Sequence, residues 1–208
     1  MTDNESARAY RIETPRTVIR CWNPQDAPSL KAAVEASRDH LHPWVPWAHE
    51  TRNLEERIDL LRRFRGQFDL DQDYLYGIFN QDETQVLGGT GLHKRLGEGA
   101  REIGYWIHVD YINQGYATEA VSALTRVAIE IDKVNRVEIH CDPHNVRSAA
   151  VPRKAGFIHE ATLRNRIFEG DGEPRDTMIW TLFADKYPDS PASEIKINVF
   201  DAMGRRIL

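Results

Sequence analysis

Cysteine is scarce in this chain: its 208 residues hold two, Cys21 and Cys141. Two cysteines make no disulfide framework, and both fall in strand-like segments where buried free thiols are ordinary. Long apolar runs are missing as well. No stretch approaches the ~20 residues that span a bilayer, so no membrane segment is expected. The opening MTDNESARAY lacks the apolar core of a secretory leader, which makes the cytoplasm the default location. Positive charge is not in surplus: 27 Lys and Arg stand against 32 Asp and Glu, a net charge of −5. A general nucleic-acid binder usually carries a basic face, so no direct nucleic-acid partner is expected. The eight histidines do not share one face of a regular element, as His40-x-His42 and His140-x-x-x-His144 show. No Cys/His set closes a tetrahedron by spacing, and no metal is expected. The dinucleotide fingerprint G-x-G-x-x-G is absent. Gly88-Gly89-Thr90-Gly91 lacks the Gly-Lys-Ser/Thr ending of a P-loop and reads as glycines in a strand that must bend. There is no internal repeat and no low-complexity tract.

What is present fits one soluble globular domain with a substantial core, at 41% hydrophobic and 28% charged residues. Residues 14–22 read as an opening strand, and Asn23-Pro24 ends it and starts a helix to about Arg38. The segment His42-Pro43-Trp44-Val45-Pro46-Trp47 holds two prolines that forbid a regular helix. A second helix is expected over 54–68, then a hairpin of strands 74–79 and 85–93. A strand over 101–109 puts Ile103, Tyr105, Ile107 and Val109 on one face, and Glu102, Trp106 and His108 on the other. Helix 118–131 carries a clean stripe of Ala120, Val121, Leu124, Val127, Ala128 and Ile131. Strand 136–142, helix 145–154 and strands 157–163 and 177–183 complete an α/β order of β-α-α-β-β-β-α-β-α-β-β. Composition breaks at Pro188-Asp189-Ser190-Pro191, dividing residues 1–187 from a linker and short strand-like extension over 188–208. The extension reads as an extra edge strand or a loose tail, with a homodimer contact as its functional alternative.

The most informative stretch is EIGYWIHVDYINQGYATEAV followed by DPHNVRSAAVPRKAGF. In the first, Asn113-Gln114-Gly115-Tyr116-Ala117-Thr118 sits where a strand hands over to a helix. First-turn N–H groups there point outward unpaired and the helix dipole is positive, which suits a phosphate. Gly115 and Ala117 are small enough for the backbone to approach an anion.

These two motifs and the element order resemble the GNAT superfamily of acyl-CoA N-acetyltransferases, specifically its RimJ/RimL-like branch, over about residues 14–184. The resemblance implies a central mixed, twisted sheet of about seven strands flanked by four helices, with the middle strands splayed. It implies acetyl-CoA as co-substrate, no metal, and direct transfer of acetyl to a primary amine. The amine is the N-terminal α-amine of a protein, perhaps a ribosomal one, or a small molecule such as an antibiotic, polyamine or toxin. A non-catalytic acyl-CoA-binding module is the alternative from another class.

The family's pyrophosphate motif, Arg/Gln-x-x-Gly-x-Gly/Ala, is met at Gly115 and Ala117, with Ile112 in place of Arg or Gln. Gln114, Gly115, Tyr116, Ala117 and Thr118 are the residues expected at the pyrophosphate. Backbone groups of Ile107, His108 and Val109 are expected along the pantetheine arm. Asn145 and Ser148 match Asn-x-x-Ser, with Asn145 assigned to the cofactor and Ser148 as proton donor to the departing thiolate. The position where many relatives carry an acidic tyrosine is Pro152, which also deprives the Ser148 carbonyl of its helical amide partner. Glu102 is the expected base, with His108 second. Trp44, Trp47 and Tyr105 are expected on the acceptor side. Asp142 either orients the amine or forms a turn, and Arg153 and Lys154 either reach CoA phosphates or end a solvated helix.

Overall fold

The computed structural model describes residues 8–167 and 174–208; the leaderless start expected from the first residues lies outside them. One sheet runs through the molecule. In chain order its strands and the main helices are β1 (Arg11–Glu13), β2 (Thr17–Cys21), α1 (Ala27–Ala36), α2 (Arg38–Leu41), α3 (Leu54–Asp69), β3 (Tyr74–Asn80), β4 (Val86–His93), β5 (Ala100–Ile107), α4 (Tyr116–Glu130), β6 (Arg136–Cys141), α5 (Val146–Ala155), β7 (Ile158–Ile167), β8 (Arg175–Phe183) and β9 (Asn198–Phe200). The spatial order is β7-β8-β6-β5-β4-β3-β2-β1-β9. The expected elements are all there, and the sheet has nine strands rather than about seven. The two additions, β1 and β9, are edge strands of three residues each; β9 is the extra edge strand expected within 188–208, while β1 is too short for alternation to announce it.

Helix boundaries follow local chemistry. Asn53 caps α3 by accepting from the Glu56 amide at 3.0 Å, while the Glu56 carboxylate accepts from the Asn53 amide at 2.8 Å, a reciprocal capping box. In the stripe of α4, Ala120, Val121, Leu124, Val127 and Ala128 are all buried, while Ile131 falls at the helix C-cap and is half-buried. Burial of each larger member contributes about 1.5–3 kcal/mol. These side chains join Ile103, Val137 and Ile139 in the main core, on the side of the sheet that carries α4 and α5. A second cluster, Trp22, Leu30, Val34, Leu61 and Phe79, lies under α1 and α3.

The 188–208 segment is woven into this body. Ala192 and Val199 are fully buried in the main core. Arg126 of α4 donates to the Ile195 carbonyl at 2.8 Å, and Tyr187 donates to Glu130 at 2.7 Å. The chain then reaches the far edge, where β9 pairs antiparallel with β1, Ile12 opposite Val199.

Candidate active site

The sheet has one parallel junction, between β5 and β6. Its register is Ala100↔Arg136, Arg101↔Val137 and Glu102↔Glu138, after which 103–107 and 139–141 are no longer paired to each other. β5 stays bonded to β4 down to Gly88↔Ile107, and β6 to β8 down to Cys141↔Met178. The result is a gap in the middle of the sheet with intact walls, opening beyond Glu102.

Alternation sorts side chains to the two mouths of this gap. On the α5 side stand Tyr105, Cys141 and Ser148. The Tyr105 hydroxyl donates to the Ser148 carbonyl at 3.0 Å and lies 3.1 Å from Ser148 Oγ. Burial pushes the Tyr105 hydroxyl upward, so it stays protonated. Asn145 caps α5, its Oδ1 accepting from the Ser148 amide at 3.1 Å. Pro152 lies inside α5 without breaking it, because Tyr105 satisfies the carbonyl that the proline leaves unpaired. Burial also raises the Cys141 thiol, partly opposed by Ser148 and Trp180.

The opposite mouth carries Glu102, Glu138, His140 and Trp106. Glu102 is 5% exposed, and Arg95 grips both of its oxygens, with Nε 2.7 Å from Oε2 and Nη2 on Oε1. Burial alone would raise this carboxyl. The Arg95 hydrogen bond and the charges of His140, Arg95 and His93 outweigh that and hold it below the usual carboxylate range. A carboxylate held this way is a weak proton acceptor, which tells against the expected role of Glu102 as the base. Trp106 lies edge-on to Trp47, ring centroids 5.8 Å apart. The space for its indole comes from Gly89, where a Cβ would stand 2.5 Å from Nε1. Clearance for Trp106, rather than bending alone, explains a glycine in β4. Trp44 is half-buried in the same loop. Arg175 ties that loop to the gap by donating to the Pro43 carbonyl and to Asp142, each at 2.9 Å.

Two expected site groups are engaged elsewhere. His108 caps the turn Val109–Tyr111, its Nδ1 accepting from the Asp110 amide at 3.1 Å, so it does not reach the gap as a base. The amides of His108 and Val109 donate to Leu87 O at 2.8 Å and Ser37 Oγ at 3.0 Å, which leaves neither amide free for a pantetheine arm. Asp142 takes the turn role: its Oδ1 accepts from the His144 amide at 2.8 Å, and Oδ2 pairs with Arg175.

At the start of α4, Asn113 (φ 59°) and Gly115 (φ 86°) are left-handed. The first intrahelical bond runs from the Glu119 amide to the Gly115 carbonyl at 3.0 Å. The amides of Tyr116, Ala117 and Thr118 therefore precede the ladder. Ile112 packs against the core. Arg16, from the β1–β2 turn, stands here, its charge paired with Glu119. It donates to the Gln114 carbonyl at 3.0 Å, pairs with Glu119 at 2.5 Å and stacks 4.5 Å over the Tyr116 ring. Nothing in residues 112–118 announces this arginine; only the fold brings it there. A depression of about 450 Å³ beside this turn is lined by Gly115, Thr118, Glu119, Ser122, Lys154 and Glu194, among others. Arg153 instead stacks on Trp180, 5.6 Å from its centroid. A larger depression of about 950 Å³ lies along α3 and its approach, walled by charges of both signs such as Glu56 and Arg62; it holds none of these site residues. Among the described residues there is no His/Cys/Asp/Glu group that could hold a metal and no helix long and apolar enough to cross a membrane.

Comparison with known proteins agrees with this geometry. Residues 16–158 match the family model "Acetyltransferase (GNAT) domain". The N-acetyltransferase YoaA of Bacillus subtilis, whose own role is uncharacterised, is 24% identical over 172 residues, covering 82% of this chain and 95% of YoaA. The ribosomal-protein-serine acetyltransferase of Escherichia coli is 28% identical over 100 residues, 48% of this chain and 50% of that protein. Mycobacterium smegmatis RimJ, solved with CoA-disulfide, shares the fold with a TM-score of 0.78 at 22% identity, covering 89% of this chain and 91% of that one. The opened parallel junction, the left-handed turn into α4 and the family match over most of the sheet lead to one conclusion: the chain belongs to the GNAT acetyltransferase family, with relatives of the RimJ/RimL type, and is an N-acetyltransferase.

Proposed function

We propose that this enzyme transfers acetyl from acetyl-CoA to the N-terminal α-amine of a protein, ribosomal proteins being the first class to examine. The observation that carries the transfer reading is the gap itself, with neutral hydroxyls at one mouth and ionised groups at the other. A thioester threaded between β5 and β6 would present its sulfur to Ser148 and its carbonyl carbon to the Glu102 side. The turn into α4, with the amides of Tyr116, Ala117 and Thr118 and the nearby Arg16, suits a pyrophosphate. Lys154, in the neighbouring depression, suits a further phosphate. Ser148 gives a proton to the departing thiolate, and Tyr105, expected on the acceptor side, instead holds Ser148 in place. Glu102 and Glu138, each paired with an arginine, offer carboxylate oxygens to the N–H groups of an amine at the acceptor mouth. Trp47 and Trp106 offer an apolar wall for the first side chain of a peptide.

Support for a ribosomal acceptor comes from the Escherichia coli relative, named for acetylating a ribosomal-protein serine. Small amines fit the same mouth, so the deciding experiment is free-thiol release from acetyl-CoA against N-terminal peptides, polyamines, aminoglycosides and amino acids. Preferred turnover of a peptide is the expected result, and Ser148→Ala should lower it about 100-fold with acetyl-CoA binding retained. Preferred turnover of a polyamine or antibiotic would replace the protein acceptor with a small one. Tight binding of acetyl-CoA with no release across the panel would make the chain a binding module.

A further inference from the structure

His140 stands on β6 two residues past Glu138, the last position paired with β5, and so at the threshold of the gap on its acceptor mouth. Its Nε2 is 2.8 Å from Glu138 Oε2, and its Nδ1 is 3.7 Å from Glu102 Oε2. A carboxylate only accepts, so in the neutral imidazole the short contact puts the proton on Nε2 and leaves Nδ1 with a free lone pair. Nδ1 and the Glu102 oxygen are then two acceptors facing each other across a separation too wide for a direct hydrogen bond. A group with N–H donors completes that arrangement, and a primary amine has them. The side chain is 25% exposed, open enough to be reached.

We propose that His140 is the proton acceptor of the transfer, oriented by Glu138, with Glu102 as the fixed negative charge that receives the amine; this rests on the transferase reading above. The nitrogen lone pair forms the N–C bond at the thioester carbonyl, the C–S bond breaks, and the nitrogen's proton passes to His140 Nδ1. The thiolate takes its proton from Ser148 on the other mouth. His140 then releases its proton to solvent while Ser148 recovers one from solvent, so none is gained or lost overall. The ring stands between two carboxylates, Glu138 and Glu102. The charged groups that face it are Glu102 and its partner Arg95, Glu138 and its partner Arg136, and His93 on β4 beyond Glu102. His93 has its own carboxylate, Asp73, 2.7 Å from Nδ1, and sits one strand farther from the gap.

The test is the pH dependence of kcat/KM, from about pH 5.5 to 9, for the best acceptor of the panel, with acetyl-CoA affinity measured alongside. His140→Gln should lower kcat/KM about 100-fold, abolish the wild-type acidic limb, leave acetyl-CoA affinity unchanged and recover partly with added imidazole. His93→Gln should keep the limb. Retention of the limb in His140→Gln with activity within about twofold of wild type would overturn the assignment, as would its loss in His93→Gln alone. If His140→Gln does not give folded protein by circular dichroism, Glu138→Gln decides: a displaced limb supports the proposal and an unmoved one overturns it. Wild-type turnover in the same assay separates the two readings, since its absence would refute the transferase reading itself.

Discussion

The hydroxyl of Tyr105 donates to the carbonyl of Ser148 at 3.0 Å, and that carbonyl is the one Pro152 leaves without a helical partner. A defect in α5 and a phenol on β5 thus complete each other. The same hydroxyl lies 3.1 Å from Ser148 Oγ, so one contact satisfies the backbone and fixes the side chain next to the gap.

Tyr105→Phe tests this directly. The variant leaves a part-buried carbonyl unpaired, which costs about 1–3 kcal/mol, readable as a shift in urea midpoint at constant slope. It also frees the Ser148 hydroxyl to rotate, so kcat should fall more than acetyl-CoA affinity does. Unchanged stability would mean that water replaces the phenol at Ser148 O.

Gly115→Ala should weaken acetyl-CoA binding. The residue has φ of 86°, and a Cβ there would lie 3.3 Å from Arg16 Nη2. The left-handed backbone costs an alanine about 1–2 kcal/mol, and relaxation would turn the α4 amides away from the pyrophosphate. Titration calorimetry should show Kd raised about tenfold. An unaltered Kd would remove this turn from the binding site.

Gly156→Ala probes the strap formed by the 188–208 segment, which packs against Gly156 through Ser190 and Pro191. Gly156 has φ of 89°, and its Cβ would meet Pro191 Cδ at 2.8 Å and Ser190 Cβ at 3.0 Å. Backbone strain and overpacking act together, for a loss of about 2–4 kcal/mol. Thermal denaturation measures it, and faster amide exchange around 190–195 would localise the damage to the strap. A variant as stable as the wild type would show that the strap yields freely.

Acid should destabilise the fold partly through Glu102. Its carboxyl is held below its unfolded value, so its contribution is present in full above about pH 4.3, the unfolded carboxylate range. That contribution fades as pH falls through the folded value, because the unfolded chain then binds more protons. Urea midpoints measured across this window should fall less steeply for Glu102→Gln than for the wild type. Equal slopes would show that the Arg95 pair contributes nothing to acid sensitivity.

The chain alone was enough for the body of the fold. Periodicity decided α4 because a stripe at 3.6-residue spacing has one way to be buried, and alternation decided which residues of β5 share a face. Gly115 and Asn145-x-x-Ser148 stood out as motifs, but that Gly115 is left-handed and that Asn145 caps α5 came from the structure. The tertiary structure decided everything that depends on a distant partner. Glu102 looked like a base on an open strand, and only the fold brings Arg95 onto it. His108 looked free until its ring closed a turn. Arg16 reaches the α4 turn, and β9 reaches β1, from segments far away in the chain. His140 was an unremarkable strand residue until β5 and β6 came together and placed Glu102 opposite it. Side-chain chemistry at a site is set by which charges and hydrogen-bond groups converge in space, and linear spacing does not encode that convergence when the partners come from different strands.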